Sequence, residues 1–142
     1  GAKSTGADDA MVEKMRVFGE YVGMAFQIKD DLLDYQNNGS IGKPTGNDIK
    51  EKKLTLPIIH VLSKASSSDK KRILSIVKRH NKNKKKVQEV IGFVIQNGGL
   101  DYTTEKMEEY KEKALSLVNE IPDNESKSAM IELVNYVVSR KK

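Results

Sequence analysis

The sequence predicts an all-α fold, and three observations predict it. Apolar residues recur at helical steps along nearly the whole chain. Only three prolines interrupt 142 residues. No stretch alternates apolar and polar residues as a half-buried strand would. The length suits one core, and we expect residues 1–142 to form a single all-helical domain. Twenty-five Lys and Arg against 20 Asp and Glu leave a net charge of +5, too small a surplus to argue for a nucleic-acid partner by itself. The absence of cysteine excludes disulfides and thiolate metal sites and suits a reducing cytoplasm. No apolar run approaches the roughly 20 residues of a membrane helix, so no transmembrane segment is expected, and no signal-peptide pattern is visible.

Gly1–Ala7 reads as the end of one helix and a turn. We therefore expect the chain to be the C-terminal part of something longer, a vector-derived Gly1 being the plainer account of the missing Met. Asp8 and Asp9 are N-cap candidates for a helix running from about Asp9 to Tyr35. Met11, Met15, Phe18, Val22, Phe26 and Leu33 recur along it at three-, four- and seven-residue steps and are expected to face inward. Gly19 and Gly23 would admit a close neighbour. Gly39 is the expected C-cap. Ser40–Lys53 reads as a turn-rich, lysine-bearing loop, because Gly42, Pro44 and Gly46 forbid a continuous helix. Thr55 caps the next helix, with Pro57 in its first turn, Ile58, Val61, Leu62 and Ala65 inward, and an end near Ala65. His60 has no second histidine or cysteine near it and is read as a packed side chain.

Ser66–Asp69 is a turn and cap, followed by a short helix marked by Ile73, Leu74 and Val77. Nine Lys and Arg between Lys70 and Lys86 make this the basic quarter of the chain. No aromatic residue interleaves them, so a solvated helix-loop-helix corner is expected. Val87, Val90, Ile91, Val94 and Ile95 form a clean stripe ending at Asn97-Gly98-Gly99. Tyr102, Met107, Tyr110, Ala114, Leu117 and Ile121 form another, with Glu109 and Lys113 spaced for an ion pair. Pro122-Asp123-Asn124 breaks it. Met130, Leu133, Val134, Val137 and Val138 form the last stripe before the basic tail.

The chemistry concentrates in Gly23–Tyr35, which places Asp30, Asp31 and Asp34 within five residues of a helix-forming run. On a helix, three- and four-residue spacing puts Asp34 on the side of both others. Unpartnered, such like charges are mildly destabilising, and a hard divalent cation is the usual counterweight. Magnesium is typically held by one or two carboxylates together with substrate phosphates. The following loop carries Lys43 and Lys53, which beside three aspartates would supply both halves of a diphosphate site. It is not a P-loop, because the Gly-x4-Gly-Lys-Ser/Thr pattern is missing.

Taken in order, Gln27-x-x-Asp30-Asp31-x-x-Asp34, Gly42-Lys43, Gly46-x-Asp48-Ile49 and Lys53-Leu54-Thr55-Leu56-Pro57 form a recognisable constellation. It resembles the trans-type polyprenyl diphosphate synthases, by motif over residues 1–62 and by helix pattern beyond. The Gly42–Pro57 stretch is more similar to the long-chain bacterial members, of octaprenyl type. The resemblance implies the C-terminal helices of an antiparallel bundle of the isoprenoid synthase type. It also implies a magnesium-dependent prenyltransferase, cytoplasmic and homodimeric, that condenses isopentenyl diphosphate with an allylic diphosphate.

By that resemblance Asp30 matches a magnesium ligand of the family's second aspartate-rich motif. Asp31 and Asp34 match its remaining carboxylates, acting directly or through metal-bound water. Gln27 matches a glutamine near the reacting end of the allylic substrate. Lys43 and Lys53 match lysines at the allylic diphosphate, and Asp48 a loop acid that orients the loop. The family's first Asp-rich motif, its basic cluster for isopentenyl diphosphate and its Lys-Thr pair have no counterpart here, so the chain alone is expected to be inactive. The alternative from another class is a non-catalytic helical interaction module with a basic surface, in which the aspartates form an exposed acidic face.

Overall fold

Helical spacing becomes helix along the whole of the expected path. The computed structural model describes residues 9–35 and 46–141, and these hold seven helices and no strand. They are α1 (Asp9–Tyr35), α2 (Asn47–Lys50), α3 (Leu56–Lys64), α4 (Ser67–Arg79), α5 (Lys84–Gln96), α6 (Gly99–Asn119) and α7 (Glu125–Ser139). None is long and apolar enough to cross a membrane among the described residues. The expected cap at Asp8, the C-cap at Gly39 and the loop from Ser40 to Thr45 lie outside the described residues. The contacts divide into two compact units, one of Gly1–Lys29 with Lys106–Lys142, the other of Asp30–Glu105.

In the second unit, α5 packs against α3 and α4. Ile58, Ile73, Val90 and Val94 are fully buried there, together with Tyr35 from the last turn of α1 and Ile49 from α2. The stripes read from α3, α4 and α5 are the buried ones, except that Ile95 faces solvent. Side-chain caps hold the starts of α4 and α5, the first expected and the second not. Ser66 Oγ accepts the Asp69 N–H at 3.1 Å, and Asn83 Oδ1 accepts the Lys86 N–H at 3.2 Å. Gly99 is required by close approach: a Cβ there would lie 2.7 Å from Val94 Cγ1 and 2.9 Å from the Pro57 carbonyl. The expected packed role of His60 is borne out. Its ring stacks on Tyr102 with centroids 3.8 Å apart and planes 7° from parallel.

In the first unit, Phe18, Ala114, Val118 and Val134 form the core, with Val22, Leu117 and Met130 partly buried around it. Asn124 Oδ1 caps α7 by accepting the Lys127 N–H at 2.8 Å. Of the last stripe, Leu133 is exposed on α7 instead of buried, and two further expectations are corrected here. Phe26 does not face inward: it is exposed, with the Arg140 guanidinium 4.1 Å from its ring centroid and Arg140 Nη2 donating to its carbonyl at 3.0 Å. The reason is rotation. Each four-residue step turns the side chain about 40° further round the helix, so two steps carry Phe26 off the Phe18 face. Burial instead follows Phe18, Ala25 and Ile28. Nor do Glu109 and Lys113 supply the expected pair. Glu109 accepts from Lys106 at 3.3 Å, while Lys113 Nζ sits 5.0 Å from the Tyr110 ring centroid and 5.7 Å from that of Tyr21.

Candidate functional site

The last turns of α1, the single turn of α2 and the start of α3 meet within the second unit. A helix start leaves backbone N–H groups without intrahelical partners. Neither α2 nor α3 has a side-chain cap of its own. At α2 the N-cap residue is Gly46, which has no side chain to offer. At α3 it is Thr55, the expected cap, whose hydroxyl does not accept from the helix. Its Oγ1 is buried without a hydrogen-bond partner among the described residues.

The aspartates of α1 fill both vacancies. Asp34 Oδ1 accepts the Asn47 N–H at 2.9 Å and its Oδ2 the Asp48 N–H at 3.1 Å. The Asp34 carbonyl takes the Gly46 N–H at 3.2 Å. Asp31 Oδ2 takes the Leu56 N–H at 3.5 Å, a long and weaker bond. Negative charge at a helix N-terminus is favourable, so the repulsion among the aspartates is partly answered by backbone.

The region expected to be all loop thus contains one helical turn, α2, tied down at every point. Gly46 has φ 78°, the left-handed region that favours glycine. Ile49 is fully buried. Asn81, from the turn between α4 and α5, donates its Nδ2 to the Lys50 carbonyl at 2.6 Å and is itself buried. No local signal in the sequence could reveal a partner for Asn81 that far back in the chain. After α2 the chain reverses through a Schellman turn, with the Lys53 N–H on the Asp48 carbonyl at 2.7 Å and the Lys52 N–H on the Ile49 carbonyl at 2.9 Å. Its left-handed position is occupied by Lys52, with φ 62°. A non-glycine residue there is strained, so Lys52→Gly is expected to stabilise the chain by about 1 kcal/mol, read as a raised urea midpoint with an unchanged slope.

Electrostatically the corner carries an excess of negative charge. Burial pushes the Asp31 carboxyl up to about 6; the Leu56 N–H opposes this, and Asp48, Asp30 and Asp34 reinforce it. Burial also raises Asp48, followed by the charge of Asp34, with Lys53 opposing. Tyr35, just beyond Asp34, is held firmly protonated, by burial first and then by the Asp34 charge. Its hydroxyl lies near that of Thr55, but neither makes a well-formed hydrogen bond among the described residues.

Of the residues singled out from sequence, Asp31, Asp34 and Asp48 come together at this corner, and Asp30 is close enough for its charge to be felt by Asp31 and Asp48. Lys53 is exposed and paired with Glu51 at 2.9 Å. Gln27 is exposed on the part of α1 that belongs to the first unit. Lys43 lies outside the described residues. Among the described residues no three His, Cys, Asp or Glu side chains gather as a ready set of metal ligands. Asp30, Asp31 and Asp34 are therefore not assembled into one ligand sphere. The donor chemistry still fits a hard divalent cation, because every donor is a carboxylate oxygen.

Comparison with known proteins gives this corner a context. Residues 1–94 match the family model described as polyprenyl synthetase. The octaprenyl diphosphate synthase of Haemophilus influenzae is 31% identical over 136 residues, which is 95% of this chain and 41% of that protein. That of Escherichia coli is 32% identical over 124 residues, 87% of this chain and 38% of that protein. The chain thus spans about two-fifths of the length of these curated relatives. The crystal structure of geranylgeranyl pyrophosphate synthase from Bacteroides thetaiotaomicron superposes with a TM-score of 0.86 at 38% identity, covering 98% of this chain and 46% of that one. A Caulobacter crescentus polyprenyl synthase, crystallised with calcium and isoprenyl diphosphate, gives 0.85 at 30% identity, over 99% of this chain and 43% of its own. The Asp-rich turn, the α2 segment and the start of α3 all fall within the matched residues, and the chain belongs to the polyprenyl synthetase family.

Proposed function

We propose that this chain carries a diphosphate-binding corner of a prenyltransferase that joins isopentenyl diphosphate to an allylic diphosphate. The observation that carries the reading is the convergence of Asp31, Asp34 and Asp48 on one corner, inside the stretch matched to the polyprenyl synthetases. A Caulobacter relative that holds calcium and isoprenyl diphosphate supports it further. Asp30 and Asp31 would hold the hard divalent cation, which the resemblance makes magnesium. When bound, it would neutralise diphosphate charge and so make the diphosphate a better leaving group.

The chain's own residues do the rest by charge and position. Lys43 and Lys53 would bring ammonium groups to the phosphate oxygens. Lys53 must leave Glu51 to do so, a small cost for an exposed pair. Gln27 would contact the substrate near its reacting end, and Asp48 would orient the loop. A cytoplasmic homodimer is the setting that the resemblance implies. The alternative of a basic docking module has less support, because Asp31, Asp34 and Asp48 converge on one corner instead of diverging into solvent.

The test is incorporation of labelled isopentenyl diphosphate by the full-length protein containing this chain, with allylic primers from dimethylallyl to geranylgeranyl diphosphate. Magnesium-dependent elongation, abolished by a chelator, is expected. No incorporation from any primer would contradict the reading. The chain by itself, with one Asp-rich motif, is expected to give none.

A further inference from the structure

We propose that Asp34 is a positioning residue, a clasp that fixes the 46–53 segment to the end of α1 and serves the site through that segment instead of as a cation ligand. The inference deepens the function proposed above and rests on it. Three consecutive backbone N–H groups converge on this one residue: Gly46 on its carbonyl at 3.2 Å, Asn47 on Oδ1 at 2.9 Å and Asp48 on Oδ2 at 3.1 Å. Both carboxylate oxygens are thereby engaged with backbone.

The segment needs such a clasp. α2 has four residues, far short of what sustains a helix by propagation, and its N-cap glycine offers no side chain. What it carries is chemically relevant: Asp48 sits where it feels Asp34, Lys53 and Asp30. Each Asp34 oxygen keeps a second lone pair, but a cation bound there would draw negative charge away from the oxygens that accept the two amides and loosen α2. A clasp is spared this, and the two roles therefore differ in what cation binding does to α2.

Hydrogen exchange at the Asn47 and Asp48 amides, followed by NMR on the whole chain, separates them. The probe is magnesium with inorganic pyrophosphate. Asp34→Ala is expected to speed exchange at both amides about tenfold, the usual loss on removing a helix cap. Asp34→Asn keeps one acceptor oxygen and should fall between, which keeps the test informative if the alanine variant folds poorly. Asp30→Asn should leave both amides as they are. Magnesium pyrophosphate should leave wild-type protection intact or raise it. Unchanged exchange in both Asp34 variants would overturn the clasp. Loss of wild-type protection on adding magnesium pyrophosphate would overturn the division of roles. Absence of any magnesium pyrophosphate binding by calorimetry would instead count against the proposed function and the part assigned to Asp34 in it, while the exchange pattern would still decide the clasp.

Discussion

Gly46→Ala is expected to cost about 3 kcal/mol of stability, a large effect for one methyl group. Two penalties add. The backbone at Gly46 has φ 78°, where a side chain costs about 1–2 kcal/mol. The new Cβ would also lie 2.9 Å from Val87 Cγ1 and 3.1 Å from Ile91 Cδ1. Val87 is a fully buried residue of α5, so it has little room to yield, and such overpacking typically costs another 1–3 kcal/mol or so. Thermal unfolding should fall by roughly 10 °C. Gly46→Asn separates the two penalties, because asparagine tolerates the left-handed backbone but keeps the Cβ. A melting temperature within a degree or two of wild type for both variants would mean that this turn is not packed as described.

Asp30→Ala is expected to act on chemistry instead of fold. In the full-length protein, turnover should fall by about two to three orders of magnitude, the usual size of a lost electrostatic stabiliser. Asp30 is exposed near the end of α1, and the burial that holds this turn in place belongs to Leu32 and Tyr35. Circular dichroism and melting should therefore stay close to wild type. Near-normal turnover would remove Asp30 from the cation site. A collapse of the fold would mean that its loss acts through structure.

Helix positions were legible because each apolar stripe is a local pattern and each break carries its own punctuation. Ser66 and Pro122-Asp123-Asn124 announce helix boundaries within a few residues of sequence. What could not be read was anything that depends on a partner brought near by folding. Thr55 stands at the cap position of α3, yet its hydroxyl accepts nothing from the helix, and the Leu56 N–H goes to Asp31, twenty-five residues earlier. Asp34 was legible as an acid with a metal-site spacing, but not as the residue that receives the start of α2. Asn81 closing α2 from another turn belongs to the same class. On α1 the miss was geometric: Phe26 matched a plausible step from Phe18, and the accumulated rotation of a long helix put it in solvent. The acid cluster itself was readable from sequence because its residues are neighbours in the chain. The basic segment was read as solvated, and Arg72 paired with Glu89 and Asp69 at the surface agrees with that.

Under the proposed function, diphosphate binds through a divalent cation resting on Asp30 and Asp31. Calorimetric titration with a non-hydrolysable farnesyl diphosphate analogue tests it most directly, with and without magnesium, on wild type and on Asp30→Ala. Binding in wild type that requires magnesium and is lost in the variant is expected. Binding that persists without magnesium, or survives in Asp30→Ala, or is absent from wild type altogether, would contradict it.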